Sequence, residues 1–238
     1  MEKMDLCALL RANSYPGRGI VVGLHEDGIH AVILYFIMGR SENSRNRIFV
    51  AREDGGIMTK AFDESKMVDP SLIIYSPVRL PEAGTTVVTN GDQTDTICDF
   101  ILAGKSFEEA LRTRTFEPDP PNYTPRISGI LDTKDGFSFK LSILRSADGN
   151  GDSVQRFFYE YPQPVAGEGR FIHTYEKNGN PIPSFSGEPE RVGLDGSLQD
   201  LTDRVWNALN PDNKVSLYSC FINTKTGAAE SLIVNKHA

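Results

Sequence analysis

The most apolar run of the chain, Ile29 to Met38, follows a shorter apolar run, Ile20 to Leu24, after the turn residues His25-Glu26-Asp27-Gly28. Two apolar runs joined by such a turn predict a β-hairpin. Because the second arm is apolar at nearly every position instead of alternating, we expect both of its faces to be covered. The run is too short to cross a bilayer as a helix. Other segments of the chain must therefore pack against both faces of this strand.

Further apolar or alternating runs lie between turns that are rich in Gly, Asp, Asn and Pro, and they predict antiparallel strands. These runs are residues 71–75, 85–88, 127–131, 137–144, 154–161, 169–175, 215–222 and 232–234. The stretch Asp148 to Asp152 lacks the ligand spacing of a calcium loop and is interpreted as a hairpin turn. The pattern amounts to roughly nine to eleven strands, mostly joined by hairpins, and it predicts an α+β fold with antiparallel sheets.

Helices are predicted in four segments by apolar periodicity and by capping residues. They are residues 2–12, with Met4, Cys7, Ala8 and Arg11 on one side; 97–102, preceded by the N-cap types Thr94, Asp95 and Thr96; 107–114, opened by the capping box Ser106 to Glu109; and 197–209. Two of these helices lie in the middle of the chain and the other two lie outside that middle part, so we expect helices and strands to be segregated in sequence.

Composition excludes several classes of function. The chain has 238 residues with 39% hydrophobic and 24% charged residues, as is usual for a soluble globular protein with one large domain or two small ones. A net charge of −7 argues against non-specific nucleic-acid binding and against a basic membrane patch. Three widely spaced cysteines suggest neither a disulfide framework nor a zinc site. We expect a cytoplasmic protein with no secretory signal. The sequence leaves the oligomeric state open, including a homo-oligomer.

Two polar stretches are candidates for anion binding. At Asn90-Gly91 a β-branched run stops, and both residues tolerate a positive φ, so we expect a sharp reversal before a helix start with free N–H groups. The segment Gly39 to Arg47 carries three arginines among Ser and Asn residues, and arginine binds phosphate or carboxylate bidentately. An ordinary capped connection and a solvated basic loop are the simpler interpretations. The lone His173 has no Ser or Cys partner, so no catalytic triad is proposed.

The sequence resembles the archaeal-type IMP cyclohydrolases in five motifs that occur in the same order. They are Tyr15-x-Gly17-Arg18; the Arg-Ser-x-x-x-Arg run from Arg40 to Arg45; Tyr75 at a strand end; Asn90-Gly91-x-x-Thr94-Asp95-Thr96-Ile97; and Glu117 followed by Asn122-x-Thr124-Pro125-Arg126-Ile127. A weaker match is Thr174-Tyr175-Glu176. The order agrees over residues 15–130, whereas the second half of the chain matches loosely.

The resemblance implies one domain over residues 1–238, with residues 1–14 as a helical extension. The implied fold is a four-layer αββα sandwich, similar to the N-terminal-nucleophile hydrolases but without autoprocessing, because Tyr15 is not a nucleophile of that class. The implied reaction is the dehydrative ring closure of 5-formamidoimidazole-4-carboxamide ribotide to IMP, the last step of purine biosynthesis. No metal or organic cofactor is expected for this hydrolase-type cyclohydrolase.

The resemblance also implies roles for individual residues. Arg45 and Tyr75 would polarise or protonate the formyl oxygen, and Glu117 would orient the carboxamide or relay its proton. The substrate-binding residues would be Tyr15, Arg18, Arg40, Arg47, Asn90, Gly91, Asp95 and Arg126, with Asn90 and Asp95 on the base or ribose and Arg40, Arg18 or Arg47 on the 5′-phosphate. Residues 145–195 and the Pro120-Pro121 pair depart from the family pattern. A related cyclohydrolase or amidohydrolase substrate, a non-catalytic purine-nucleotide-binding or regulatory protein and a protein-interaction domain therefore stay open.

Overall fold

The computed structural model describes residues 3–67, 70 and 72–237. Its strands form two antiparallel sheets, one of six strands and one of seven. The predicted hairpin lies in the middle of the six-stranded sheet, where Arg18–Leu24 (β1) pairs with His30–Met38 (β2). Every residue of β2 after His30 is buried, so the expectation of a strand covered on both faces is confirmed.

The other strands are Arg47–Ala51 (β3), Ile57–Ala61 (β4), Val78–Glu82 (β5), Thr85–Thr89 (β6), Arg126–Asp132 (β7), Ser138–Ser146 (β8), Val154–Tyr161 (β9), Glu168–His173 (β10), Glu190–Gly193 (β11), Lys214–Asn223 (β12) and Ala229–Asn235 (β13). The helices are Leu6–Ala12 (α1), Glu42–Arg45 (α2), Gln93–Leu102 (α3), Phe107–Arg112 (α4) and Leu198–Ala208 (α5), with a 3₁₀ turn at Glu64–Lys66. The six-stranded sheet has the order β11-β10-β1-β2-β12-β13, and the other sheet follows the chain from β3 to β9.

The buried apolar side chains of the described residues form three clusters, and these define the layers. One cluster lies between the sheets and joins Val22 and Tyr35 to Val88 and Leu141. A second joins the outer face of the six-stranded sheet to α1 and α5, and a third joins α3 and α4 to the seven-stranded sheet. Side chains alternate between the two faces of a strand, so each sheet supplies one apolar face to the centre and one to its helices. The α+β prediction is confirmed, with the layers in the order helix, sheet, sheet, helix.

Several local predictions were wrong. Strands β4, β5 and β11 were not predicted, and residues 72–75 of the predicted strand 71–75 form no strand, while residue 71 lies outside the described residues. The Tyr75 end is held instead by Thr59, whose Oγ1 accepts from the Tyr75 N–H and whose backbone N–H donates to the Tyr75 carbonyl. The first helix begins at Leu6, because the Asp5 side chain caps it by accepting from the Cys7 N–H. Its buried face is Leu6, Cys7 and Leu10, whereas Ala8 and Arg11 are exposed. Residue 2 of the predicted helix lies outside the described residues.

The two candidate anion stretches also differ from expectation. The basic segment is not a plain loop, because Ser41 and Ser44 cap each other's backbone and begin the short helix α2. Helix α3 begins at Gln93 instead of Ile97, and the N–H groups of Thr94 and Asp95 are already bonded to Gly91 and Asp92 carbonyls. Those N–H groups are therefore not free to hold an anion. Within the described residues, none of the helices is long and apolar enough to span a membrane.

Candidate active site

A buried ion pair joins the start of β1 to the loop between α4 and β7. The Nη2 atom of Arg18 lies 2.8 and 2.9 Å from the two carboxylate oxygens of Glu117. The two side chains are only 11% and 3% exposed. Because an apolar pair of similar volume is often as stable as a buried ion pair, charges kept in such a position are candidates for function.

Two tyrosine hydroxyls accompany this ion pair. The hydroxyl oxygens of Tyr75 and Tyr35 lie 2.7 Å apart in the space between the sheets. The electrostatic neighbours of the Arg18 guanidinium are Glu117, Tyr75, Tyr175 and Tyr35. The site therefore combines a carboxylate, a guanidinium and hydroxyl groups that can donate or accept protons.

A second arginine, Arg47, is buried beside them at the start of β3 and is only 2% exposed. Burial lowers the pKa of Arg47, nearby Arg18 lowers it further, and Tyr75 and Tyr35 oppose the change. Its Nε atom donates to the Ser44 carbonyl, but Nη1 has no hydrogen-bond partner among the described residues. The Nε atom of Arg18 likewise has no hydrogen-bond partner among the described residues. Because buried donors are nearly always satisfied, two such donors on arginines that interact electrostatically indicate a place for an oxygen-bearing ligand.

The Asn90-Gly91 corner closes another side of this group. Arg126 Nη1 lies 2.7 Å from Gln93 Oε1 and 2.6 Å from Asp92 Oδ1. A Cβ atom on Gly91 would lie 2.6 Å from Arg126 Nη1 and 3.6 Å from Glu117 Oε1. A side chain at this position would have to displace the Arg126 and Gln93 head groups, and Gly91 does not have a positive φ.

The Glu117 carboxyl has a pKa above its ordinary value. Burial is the main cause, and nearby Asp119 acts in the same direction, while Arg18 and Arg126 act against them. A carboxyl whose pKa moves toward neutrality is better suited to accept a proton and give it up again. Among the buried residues of this cluster, Glu117 is therefore the strongest candidate for proton transfer.

A buried aromatic stack lies near Arg18, and the exposed Arg40 packs against it. The rings of Tyr15 and Tyr175 are stacked with centroids 5.7 Å apart, and the Arg40 guanidinium lies 5.1 Å from the Tyr15 centroid. Arg40 Nη1 donates to Asn178 Oδ1 at 2.7 Å and to the Gly179 carbonyl at 2.8 Å. Arg40 thus connects the basic segment to the loop that follows β10.

Two residues expected in the site, Arg45 and Asp95, have partners outside it. Arg45 donates to the Gly39 carbonyl at 2.9 Å and to Asn213 Oδ1 at 3.2 Å, and within the described residues no hydrogen bond or ion pair joins it to Tyr75 or Glu117. It borders a separate cavity of about 270 Å³. Asp95 is exposed and pairs with Arg79 at 2.7 Å.

Asn90 is buried beside the site, and both its amide oxygen and its amide nitrogen bond within the fold. The oxygen accepts from the Ile127 N–H and from Gln93 Nε2, and the nitrogen donates to the Pro125 carbonyl. These bonds hold the Asn90-Gly91 corner against β7 and so position Gly91 next to Arg126.

The structure brings together Tyr15, Arg18, Arg47, Tyr75, Gly91, Glu117 and Arg126 from the predicted set. Sequence reasoning missed Tyr35, Gln93 and Tyr175. Tyr35 lies in an apolar run and reads as a core residue, and Gln93 lies between two motif positions. Tyr175 lies in the weakest of the matching motifs, so only that match pointed to it. In the described part of the chain, no group of three His, Cys, Asp or Glu residues is placed to hold a metal ion.

Residues 15–226 match the model of a protein family described as IMP cyclohydrolase-like protein. The chain belongs to the IMP cyclohydrolase-like family. The match begins at Tyr15 and therefore contains every residue of the buried cluster, but not helix α1. The family resemblance seen in the motifs over residues 15–130 is thus confirmed, and it extends through the second half of the chain.

Individual relatives of this IMP cyclohydrolase-like chain are archaeal. An IMP cyclohydrolase of Methanopyrus kandleri is 32% identical over 165 residues, which are 68% of this chain and 75% of that protein. An IMP cyclohydrolase of Methanococcus maripaludis strain C6 is 34% identical over 125 residues, which are 51% of this chain and 59% of that protein. The alignment thus spans three quarters of the first relative and less than two thirds of the second.

Proposed function

We propose that this protein is an enzyme that closes 5-formamidoimidazole-4-carboxamide ribotide to IMP with loss of water in purine biosynthesis. The observation that carries the proposal is the buried cluster of Arg18, Arg47, Tyr75 and Glu117, all of which lie inside the region matched by the family. The cluster offers hydrogen-bond donors without partners next to a carboxyl with a raised pKa.

The proposed chemistry uses these groups directly. The carboxamide nitrogen attacks the formyl carbon, the new N–C bond forms, and the electron pair of the C=O bond moves to the oxygen. Arg47 and Tyr75 stabilise that oxygen, which takes up the proton released by the attacking nitrogen and becomes a hydroxyl. When the C–O bond then breaks, the formamide nitrogen gives its hydrogen to the departing hydroxyl, which leaves as water, and the C=N bond of the new ring forms. Glu117 accepts the proton that the nitrogen loses. Because the two reacting groups belong to one molecule, holding them in the right orientation supplies much of the acceleration.

In this proposal Arg47 polarises the formyl oxygen, which is the role that the motif alone assigns to Arg45. The Arg45 guanidinium is bonded to Gly39 and Asn213, whereas the unpartnered Nη1 atom of Arg47 has Tyr75 as a neighbour. We assign Arg40 and Tyr15 to the ribose 5′-phosphate end of the substrate. Asn90 supports the corner and does not contact the base, and Asp95 lies outside the site.

We also propose that the chain is a single domain with the αββα arrangement of N-terminal-nucleophile hydrolases and is not cut by itself. Residues ahead of Tyr15 support this, because Met4 forms a bridge with Val192 beside β11 and α1 packs against the layer that contains α5. A cytoplasmic location fits a purine-biosynthetic reaction. Intact mass spectrometry of the purified protein is expected to show no chain cut before Cys7 or Ser14.

The activity test is incubation with the formylated ribotide while the ultraviolet absorbance of IMP is recorded. Wild-type protein should form IMP. Arg47→Met should not form it at a comparable rate, and the matched variant Arg45→Met should lose much less. Binding of IMP without turnover would favour a non-catalytic purine-nucleotide-binding protein instead. If no purine nucleotide raises the melting temperature, both proposals are contradicted and a protein-interaction domain is favoured.

A further inference from the structure

A chain of three hydrogen-bonding groups leads from the site to the surface. The Tyr175 hydroxyl oxygen lies 2.5 Å from Thr124 Oγ1, which lies 2.5 Å from Asp119 Oδ2. The other Asp119 oxygen, Oδ1, accepts from the Thr124 N–H at 2.7 Å. Tyr175 and Thr124 are buried, and Asp119 is partly exposed. The loop that carries this chain also carries Glu117, whose N–H donates to the Thr124 carbonyl.

The direction of these hydrogen bonds follows from the number of protons available. An ionised carboxylate only accepts, so the single hydroxyl hydrogen of Thr124 points to Asp119. The Thr124 oxygen must then receive the hydroxyl hydrogen of Tyr175. Tyr175 therefore donates to Thr124 and not to the Arg18–Glu117 pair, and no described residue donates a hydrogen bond to its oxygen.

We propose that Tyr175 is a substrate-contacting residue whose hydroxyl oxygen accepts a hydrogen bond from an N–H group of a carboxamide-bearing heterocycle, and that Thr124 and Asp119 are positioning residues that fix it as an acceptor. This inference rests on the proposed function. Tyr175 belongs to the site because it is an electrostatic neighbour of Arg18 and its ring stacks on Tyr15.

The chemistry of ring closure explains why a hydrogen-bond acceptor is needed at the position of the Tyr175 hydroxyl. A carboxamide NH₂ group has two hydrogens, and only one is lost when the ring closes. With one hydrogen directed at Glu117 and the other held by Tyr175, the nitrogen is kept in the orientation needed for attack on the formyl carbon. Tyr175 takes no proton in this scheme. The N–H that it holds remains on the pyrimidine ring of IMP, so the contact is also available to the product.

The first variants to test are Tyr175→Phe and a matched pair at the next position, Thr124→Val and Thr124→Ser. Phe keeps the aromatic stack and removes only the hydroxyl, and Val keeps the shape of Thr. We expect kcat/KM for ring closure and the affinity for IMP measured by calorimetry each to fall about tenfold in Tyr175→Phe and in Thr124→Val. Thr124→Ser retains the hydroxyl and should stay within about threefold of wild type.

Asp119→Asn tests the direction of the hydrogen bonds. The Thr124 N–H keeps the amide oxygen of Asn in place, so its NH₂ group faces Thr124 Oγ1 and donates to it. Thr124 then donates to Tyr175, whose hydrogen turns toward the substrate. We expect a loss of about tenfold in Asp119→Asn, and no further loss when Tyr175→Phe is added.

Three outcomes would overturn the inference. Unchanged kcat/KM and IMP affinity in Tyr175→Phe would remove Tyr175 from the site. Additive losses in the Asp119→Asn, Tyr175→Phe double variant would show that Asp119 acts only through the loop. Equal losses in Thr124→Ser and Thr124→Val would show that the hydroxyl of Thr124 is not what matters. If wild type turns over the ribotide while any of these results holds, only this inference fails. If wild type neither forms nor binds IMP, the proposed function fails as well.

Discussion

The two ends of the β1–β2 hairpin both carry charged side chains, and they differ in whether those charges are satisfied. At the turn, His25 and His30 place their Nδ1 atoms 3.0 and 2.7 Å from the same Asp27 oxygen. The other Asp27 oxygen accepts from the Ile29 and His30 N–H groups, and His25 Nε2 lies 2.8 Å from the Gly196 carbonyl. Every polar atom named here thus has a partner within the chain.

At the opposite end the charges are deeper and less complete. Arg18 begins β1, and Glu117, Arg47 and Tyr75 surround it, yet one donor on each arginine has no partner among the described residues. Burying an unsatisfied donor costs more free energy than a hydrogen bond at the surface returns. The turn therefore has the properties of a structural element, whereas the other end of the hairpin has the properties of a ligand-binding site. Charge alone does not distinguish them, whereas unfilled hydrogen-bonding capacity does.

The largest expected effect comes from a matched change of carboxyl to amide at the two ends. Glu117→Gln should lower kcat for ring closure by about 10²- to 10⁴-fold, because it removes the group that accepts the proton. Asp27→Asn should leave kcat unchanged, because Asp27 lies at the opposite end of the hairpin. Steady-state assays of both variants measure the difference. Equal losses in the two variants would break the distinction between the ends.

Arg47→Met should lower kcat about 10²- to 10³-fold, since a donor to the developing oxyanion is lost. Its free energy of unfolding should be unchanged or higher, because the change removes a buried charge that lacks a full set of partners. Urea titration of Arg47→Met, with Arg45→Met as its control, measures this. A large loss of stability with normal kcat would make Arg47 a structural residue.

The pH dependence offers a sharper test of the Arg18–Glu117 pair. Glu117 has a raised pKa, and Arg18 counters that rise, so removing Arg18 should raise the pKa further. If ionised Glu117 is the base, the acidic limb of kcat/KM should move to higher pH by about one unit or more in Arg18→Met. Residual activity of the variant is followed from acid to neutral pH. A limb that stays in place would mean that another group controls the rate.

The smallest effect is expected at the turn. Burial would raise the pKa of Asp27, but the hydrogen bonds from His30 and from the Ile29 and His30 backbone hold it well below its ordinary value. A depressed carboxyl pKa adds stability above the pKa of the unfolded chain, about 3.9, and that stability is lost as the pH falls below it. Asp27→Asn should cost on the order of 1 kcal/mol at neutral pH, allowing for partial exposure. The difference should vanish in acid. Thermal melts across pH check it.

The local elements that could be predicted are those whose signal lies within a few residues. The hairpin, the strands β7 to β9, the strand β12 and the capping box at Ser106 each depend on alternation, a turn or a cap that is complete in the sequence. The strand β4 was missed because it is held by pairing with β3 and not by its own pattern. The segment ending at Tyr75 was predicted as a strand because it is apolar, but its backbone bonds to Thr59 and to the Pro70 carbonyl instead of forming a strand.

The sequence by itself determined the α+β class, the covered central strand and, through its motifs, the family, and it proposed most of the polar residues that the fold brings together in the candidate site. Only the tertiary structure showed that Arg47 is buried near Arg18 while Arg45 bonds to Gly39 and Asn213. It also showed that the Asn90 amide bonds within the fold, and that Tyr35, Gln93 and Tyr175 belong to the same cluster. The physical reason is that periodicity and turns act over a few residues. Whether a charged side chain is buried, and whether its hydrogen bonds are filled, depends on strands that are distant in the chain and meet only when the two sheets close over each other.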